Sequence, residues 1–462
     1  MTWRLPKHVQ EAAPLAAELI GTYMLVFTIG CNILAKTSIV WAATSTSLMY
    51  MAFLYCFSSV SGGHLNPAVS LACGLVGKLP WKAVLLYCIV QILGGLLAGL
   101  SFCELFGASA DLVPKAGFGL AECFLVETLF TTMLVFVVLN CACCKKNHPP
   151  QAPNQFYPLA AGFALLAGGY AAGPISGATF NPAVAFAIDA TSVMGFGVCL
   201  WYLLFQVLGA LLAVLLFRQV RPEERFHNER DIAHYEPKLP TKLASEFIGT
   251  LLLVLTVGLN VTGKSGATAW SAAAALTSMV YSLGDVSGGH FNPAVTLAVV
   301  LSGRGQCPPN RGVCYILIQV LAGLIAAFLY AGINHTNNLF YVQSYKYGMV
   351  AAVEMEFVFT FVIALVVLST ATVRGITTHG RNFYFGLAIG SCVMAGGIAS
   401  GPVSGGYLNP AVTFGASTAS TLNGGSFVDA WKYMLAEFLG GAAAAGVFHV
   451  THAREYPKTR WH

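Results

Sequence analysis

The sequence predicts an all-α polytopic membrane protein of twelve spans, organised as a repeat within a repeat. Three observations carry this. Charge is scarce: of 462 residues, 9% are charged and 56% hydrophobic, against about 25% charged in a typical soluble domain. Apolar runs of about 20 residues, the length that crosses a bilayer, recur along the chain. One ten-residue pattern also returns four times: SGGHLNPAVS from Ser61, SGATFNPAVA from Ser176, SGGHFNPAVT from Ser287 and SGGYLNPAVT from Ser404. Little length is left for an aqueous domain. A soluble enzyme, a disordered chain and a nucleic-acid binder are therefore set aside.

The spans follow the repeats. In the first half they fall near residues 14–34, 42–60, 82–103, 119–141, 157–173 and 196–218. In the second half they fall near 243–260, 269–286, 311–333, 349–371, 383–400 and 427–449. The asparagines of the pattern are Asn66, Asn181, Asn292 and Asn409, so alternate copies lie 226 and 228 residues apart. The expected domains are 1–218, a linker at 219–241 that is charged and broken by Pro222, Pro237 and Pro240, a second unit at 242–450, and a tail at 451–462.

Each Asn-Pro-Ala opens an apolar stretch of about ten residues, too short to cross. Asn caps a helix and Pro suits its first turn. Each stretch therefore reads as a half-helix that dips into the membrane. Three spans separate the two half-helices of a half, so they enter from opposite faces with their N-termini meeting at the midplane. Irregular backbone at that depth belongs beside a cavity or inside protein.

The basic residues set the topology. With the N-terminus in the cytosol, nineteen Lys and Arg fall inside and five (Lys36, Lys115, Lys264, Lys346, Lys432) outside, a positive-inside bias that puts both termini in the cytosol. The sequons at Asn260 and Asn334 then lie outside. No cleavable signal peptide is expected, because the first apolar run is too long for one. The 13 cysteines mostly sit in apolar runs as small hydrophobes. Cys141, Cys143 and Cys144, just before Lys145 and Lys146, are candidates for S-palmitoylation, ahead of a zinc site with His148.

At these motifs the chain resembles two aquaporins (major intrinsic proteins) fused in tandem. Span one of each half carries Glu-x-x-x-Thr (Glu18 to Thr22, Glu246 to Thr250), and so does span four (Glu127 to Thr131, Glu356 to Thr360). Gln91 and Gln319 precede glycines in span three. The resemblance implies two right-handed bundles in tandem, each of six transmembrane helices and two re-entrant half-helices. It also implies that Glu18, Glu127, Glu246 and Glu356 buttress the half-helix loops by accepting backbone N–H bonds. His64 and His290 are expected to hydrogen-bond structurally rather than to gate by pH. Glu437 matches no family pattern, and it is read either as buried against partner helices or as facing the second pore.

A channel for neutral solutes follows from that resemblance. Each Asn donates from its amide into the lumen while its oxygen caps its own half-helix. Two half-helix N-termini bring about half a positive charge each to the midplane, turning water around and repelling cations. Asn66, Pro67 and Ala68 with Asn181, Pro182 and Ala183 make one pore. Asn292, Pro293 and Ala294 with Asn409, Pro410 and Ala411 make the other.

The chain departs from the family at the outer filter. Most aquaporins place arginine after the second Asn-Pro-Ala; here Val184 and Val412 stand there. Carrying over the other positions gives Thr46, Gly169 and Ala178 for the first pore, and Ala272, Gly397 and Gly406 for the second. Both filters are expected to be wide and uncharged, passing water with small neutral solutes such as glycerol, urea or ammonia. Neither the water-selective nor the glycerol-conducting subtype is matched. The alternatives are a closed-pore structural or adhesive membrane protein and, behind it, a coupled secondary transporter. No enzyme constellation, cofactor or metal set is expected. A homodimer resembling one aquaporin tetramer is the expected assembly.

Overall fold

All regular secondary structure among the described residues is helical. A computed structural model describes residues 7–149, 153–335, 346–373 and 384–456. The chain falls into two units with their boundary between Arg218 and Gln219.

The first unit contains six long helices: α1 (Lys7–Leu34), α2 (Ile39–Phe57), α4 (Trp81–Phe106), α5 (Leu120–Val138), α6 (Tyr157–Ser176) and α8 (Val198–Val220). The half-helices α3 (Pro67–Leu75) and α7 (Pro182–Ala190) lie between them in sequence. In the second unit a short α9 (Glu229–His234) precedes the long helices α10 (Leu239–Thr262), α11 (Thr268–Ser287), α13 (Pro309–Ile333), α14 (Gly348–Ala371), α15 (Phe385–Ser404) and α17 (Ala430–Thr451). Its half-helices are α12 (Pro293–Leu301) and α16 (Pro410–Leu422). α16 has 13 residues, longer than the ten the sequence suggests.

Eleven of these helices are long and apolar enough to cross a membrane. α11 has span length but carries Ser271, Thr277, Ser278, Ser282 and Asp285. Its hydroxyls bond back into the helix: Thr277 Oγ1 donates to Ala273 O, Ser278 Oγ to Ala274 O and Ser282 Oγ to Ser278 O, at 2.7–2.9 Å. These three hydroxyls are satisfied inside the helix, as a span requires, while Ser271 and Asp285 take donors from Asn260 and Arg221.

The half-helices tie the quarters together. α7 packs on α4, α16 on α13 and α12 on α17, in each case a helix of the other quarter. Glycine makes this approach close. A Cβ on Gly95 would stand 2.8 Å from Ala183 O, one on Gly323 2.3 Å from Ala411 O, and one on Gly441 2.4 Å from Ala294 O. Small residues that let backbones touch are the usual glue between membrane helices.

Three features bear on the expectations. First, within the expected linker α8 ends at Val220, a 3₁₀ turn spans Pro222–Arg225, and α9 follows. Arg221 explains why. Its guanidinium is buried, with Nη1 and Nη2 each 2.7 Å from an Asp285 carboxylate oxygen and Nη2 2.6 Å from Ser282 O. This bidentate, charge-assisted clamp fixes the start of the linker to α11. Second, the Asn260 sequon lies inside α10, buried, with Nδ2 donating to Thr256 O and Ser271 Oγ at 2.8 Å. Third, Cys141 and Cys144 are buried, Cys141 within a π-turn at Leu139–Cys143, which leaves them unsuited to acylation in the folded chain. The sequon threonine Thr336, and Arg4, Arg374, Arg381, Lys458 and Arg460 of the charge pattern, lie outside the described residues.

The glycine contacts lead to a direct expectation. Gly323→Ala forces a methyl into Ala411 O and should destabilise the protein by about 1–3 kcal/mol, the usual range for overpacking. Gly332→Ala, on the same helix with nothing within 4 Å of the new methyl, should be neutral or stabilising. Thermal unfolding in detergent, read by tryptophan fluorescence, compares the two. Equal midpoints would contradict the packing described.

Candidate functional site

The four Asn-Pro-Ala segments share one local geometry. Each Asn is extended (φ −150° to −158°) and caps its own helix: the Oδ1 of Asn66, Asn181, Asn292 and Asn409 accepts from the N–H of Ala68, Ala183, Ala294 and Ala411 at 2.9–3.0 Å. Pro67, Pro182, Pro293 and Pro410 fill the first helical turn, where no N–H is needed.

The residue before each Asn is left-handed although it is bulky: Leu65 has φ 51°, Phe180 49°, Phe291 47° and Leu408 54°. Such a backbone costs about 1–3 kcal/mol and persists only where its surroundings fix it. What fixes it is the opposite loop. Asn66 Nδ2 donates to Phe180 O at 2.9 Å and Asn181 Nδ2 to Leu65 O at 2.8 Å. Asn292 Nδ2 donates to Leu408 O at 2.8 Å and Asn409 Nδ2 to Phe291 O at 2.9 Å. One amide hydrogen of each Asn thus braces the partner loop, and the second is left over for the lumen. The sequence gives no sign of this cross-bracing.

Beneath each loop lies a buried glutamate. Glu18 accepts from Ser61 Oγ (2.6 Å), His64 N (2.9 Å), Leu65 N (2.6 Å) and Gln91 Nε2 (2.7 Å). Glu127 accepts from Ser176 Oγ, the N–H groups of Thr179 and Phe180, Thr179 Oγ1 and Gln206 Nε2 at 2.6–3.0 Å. Glu246 is held by Ser287 Oγ, His290 N, Phe291 N and Gln319 Nε2 at 2.6–3.0 Å. Glu356 is held by Ser404 Oγ, Tyr407 N and Leu408 N at 2.6–3.1 Å.

A tyrosine four residues before each Gln, or before Glu437, closes the loop from behind. Tyr87, Tyr202, Tyr315 and Tyr433 donate to the carbonyls of Ser61, Ser176, Ser287 and Ser404 at 2.8–3.1 Å. Sequence reasoning missed these tyrosines and Gln206. The fourfold Tyr-x-x-x-Gln/Glu spacing was the available signal. His64 Nδ1 pairs with Ser70 Oγ at 3.0 Å and His290 Nδ1 with Thr296 Oγ1 at 3.1 Å, each ring edge-on to the loop tyrosine.

Glu437 takes the place that Gln holds in the other three loops. It is buried, and its Oε1 accepts from Asn409 N (3.0 Å) and Thr413 Oγ1 (2.7 Å). Its Oε2 is buried without a hydrogen-bond partner among the described residues, where Gln91, Gln206 and Gln319 each donate to the loop glutamate.

The expected filter residues line two cavities. In the first unit Thr46, Gly169, Ala178 and Val184 share a cavity of about 280 Å³ with Asn32, Asp111 and Lys115. A separate space of about 20 Å³ lies deeper, beside Asn66, Asn181 and Tyr50. In the second unit Ala272, Gly397, Gly406 and Val412 line a cavity of about 410 Å³ that runs from Lys264 and Ser265 to His290, Asn292 and Asn409. The walls correspond closely. Leu25, Ile29, Leu134, Leu165 and Val184 in the first unit match Leu253, Val257, Ile363, Val393 and Val412 in the second. Both walls are mostly apolar, with polar groups confined to the loops and the mouths, an arrangement suited to neutral solutes.

The family model described as Major intrinsic protein matches residues 6–154, 121–267 and 259–448. A probable aquaporin NIP-type of Nicotiana alata is 31% identical over 224 residues, covering 46% of this chain and 78% of that protein. Aquaporin NIP1-1 of Arabidopsis thaliana is 32% identical over 262 residues, covering 51% of this chain and 83% of that protein. The aquaglyceroporin of Plasmodium falciparum aligns to 46% of this chain and 96% of its own, at 18% identity and a TM-score of 0.40.

The fourth loop supplies the test of this geometry. Glu437→Gln supplies the amide donor directly and should leave thermal stability equal or higher. Glu437→Leu strips Asn409 N and Thr413 Oγ1 of their acceptor and should cost about 2–4 kcal/mol. Thermal unfolding of the two variants in detergent reads the difference.

Proposed function

The chain belongs to the major intrinsic protein family and is a multi-pass membrane channel for water and small solutes; from that premise we propose that it carries two passive pores. Asn66 and Asn181 face the first lumen, and Asn292 and Asn409 the second. Each lumen is gated in selectivity rather than in time, by the midplane dipoles and by an outer filter without arginine. Thr46, Gly169, Ala178 and Val184 form one filter, and Ala272, Gly397, Gly406 and Val412 the other. The relatives are channels, not enzymes.

The observation that carries this reading is the pair of cavities, one bordered by Val184 and the other by Val412 where a guanidinium would stand, the second of them reaching Asn292 and Asn409. A fixed guanidinium is both a donor to solutes and a barrier to cations. Valine leaves a broader, apolar mouth, so glycerol, urea and ammonia pass the outer filter together with water, and the exclusion of cations falls to the half-helix N-termini. Both termini lie in the cytosol, following the positive-inside bias. Two such chains pair into a homodimer with four pores.

Stopped-flow light scattering on proteoliposomes tests the permeation. Water and glycerol should both cross much faster than through protein-free vesicles. Val184→Arg combined with Val412→Arg should lower glycerol permeability about ten-fold while water continues to pass. Fast water with strict exclusion of glycerol by the unmodified protein would contradict the wide-filter reading. No flux above the lipid background would favour a closed-pore structural protein, and saturable gradient-driven uptake a coupled transporter. Native mass spectrometry should find about twice the 48.9 kDa chain mass.

A further inference from the structure

The two cavity walls differ in the loops, at Thr179 against Tyr407, and on α2 and its counterpart α11. Packing fixes the register of this pair at 226 residues. Gly169 faces Ala43 as Gly397 faces Ala269, and Gly162 faces Met51 as Gly390 faces Thr277. Position 50 therefore corresponds to position 276. The first unit has Tyr50 there and the second Leu276.

The consequence is visible in the lumen. Leu276 stands in the wall of the single long cavity that reaches both asparagines of the second unit. In the first unit the outer cavity stops short of Asn66 and Asn181, and a space of about 20 Å³ bordered by Tyr50 adjoins them. Such a space holds about one water. Tyr50 is 1% exposed, and its hydroxyl has no hydrogen-bond partner among the described residues. An unpartnered buried hydroxyl costs about 1–3 kcal/mol unless water meets it. A phenol both donates and accepts, which complements the donor-only hydrogens left on the asparagine amides.

We propose that Tyr50 is the specificity-determining residue of the first pore. Its ring narrows the lumen beside Asn66 and Asn181 to one water, and its hydroxyl hydrogen-bonds that water in passage. The first pore then conducts water and rejects solutes of glycerol size, which cross only by the second pore, where Leu276 leaves the lumen open. The two pores of one chain divide the solutes between them. This rests on the two-pore channel reading above and assigns a solute class to each pore.

The test uses the full chain in proteoliposomes, with water and glycerol permeabilities normalised to incorporated protein. Leu276→Tyr should cut glycerol permeability at least about five-fold, a barrier increase of about 1 kcal/mol, while water stays within about two-fold. Tyr50→Leu should raise glycerol permeability about two-fold, since a second pore now admits it. The double variant, Tyr50→Leu with Leu276→Tyr, should return glycerol to near the unmodified level by the other route, which misfolding of the single variant would not do. Tyr50→Phe keeps the ring and should slow water without admitting glycerol. Glycerol flux indifferent to Leu276→Tyr, or to Tyr50→Leu, overturns the division of solutes while leaving the channel reading in place. Absence of water flux in the unmodified protein overturns both.

Discussion

A carboxylate inside a protein that is itself inside a bilayer has no water to meet it, so its oxygens must find donors from the chain. Four times here the donors are the backbone N–H groups of a loop that would otherwise have none. Glu18 and Leu65 N, Glu127 and Phe180 N, Glu246 and Phe291 N, and Glu356 and Leu408 N are the same bond made in four places. Each bond satisfies two groups that are expensive to bury alone. The left-handed turn, the extended Asn and the half-helix that follows all take their positions from it.

The surrounding packing serves that arrangement. The serine at the start of each loop reaches the same carboxylate, a tyrosine from behind holds that serine's carbonyl, and a glycine lets the half-helix of the opposite quarter lie against the backbone. The loops are thus rigid where the asparagines stand. The units differ on the lumen side at Thr46 and Ala272 and at Tyr50 and Leu276, and in the supports at Gln206 and Glu437. The carboxylate bonds that hold the loops are the same in both, so a shared scaffold can carry two walls of different width.

Much of this was legible because it is repeated. Asn-Pro at a fixed spacing announces a capped half-helix, and Glu-x-x-x-Thr in an apolar run announces a carboxylate that needs a reason to be there. Other features leave weaker traces. Leu65 and Phe180 are ordinary apolar letters, and nothing local marks them as left-handed; the bonds from Asn181 and Asn66 that hold them come from more than a hundred residues away. Arg221 reads as one more charge in a polar linker because Asp285, its partner, belongs to a helix in the next segment. Glu437 reads as an anomaly until it is aligned with Gln91, Gln206 and Gln319. α11 is less apolar than its fellow spans because its hydroxyls bond back into its own backbone.

The mutual bracing of paired loops also bears on biosynthesis. The first loop of a unit is complete once Asn66 has emerged, yet its Leu65 carbonyl and its own amide have no partners until Phe180 and Asn181 arrive. At about 5–20 residues per second, that interval of 115 residues leaves the nascent loop half-satisfied for about 6–23 seconds. Water, lipid headgroups or the insertion machinery must meanwhile take the place of the missing loop. The second unit repeats the wait between Asn292 and Asn409, so each bundle locks as a late event, only when its last re-entrant segment enters.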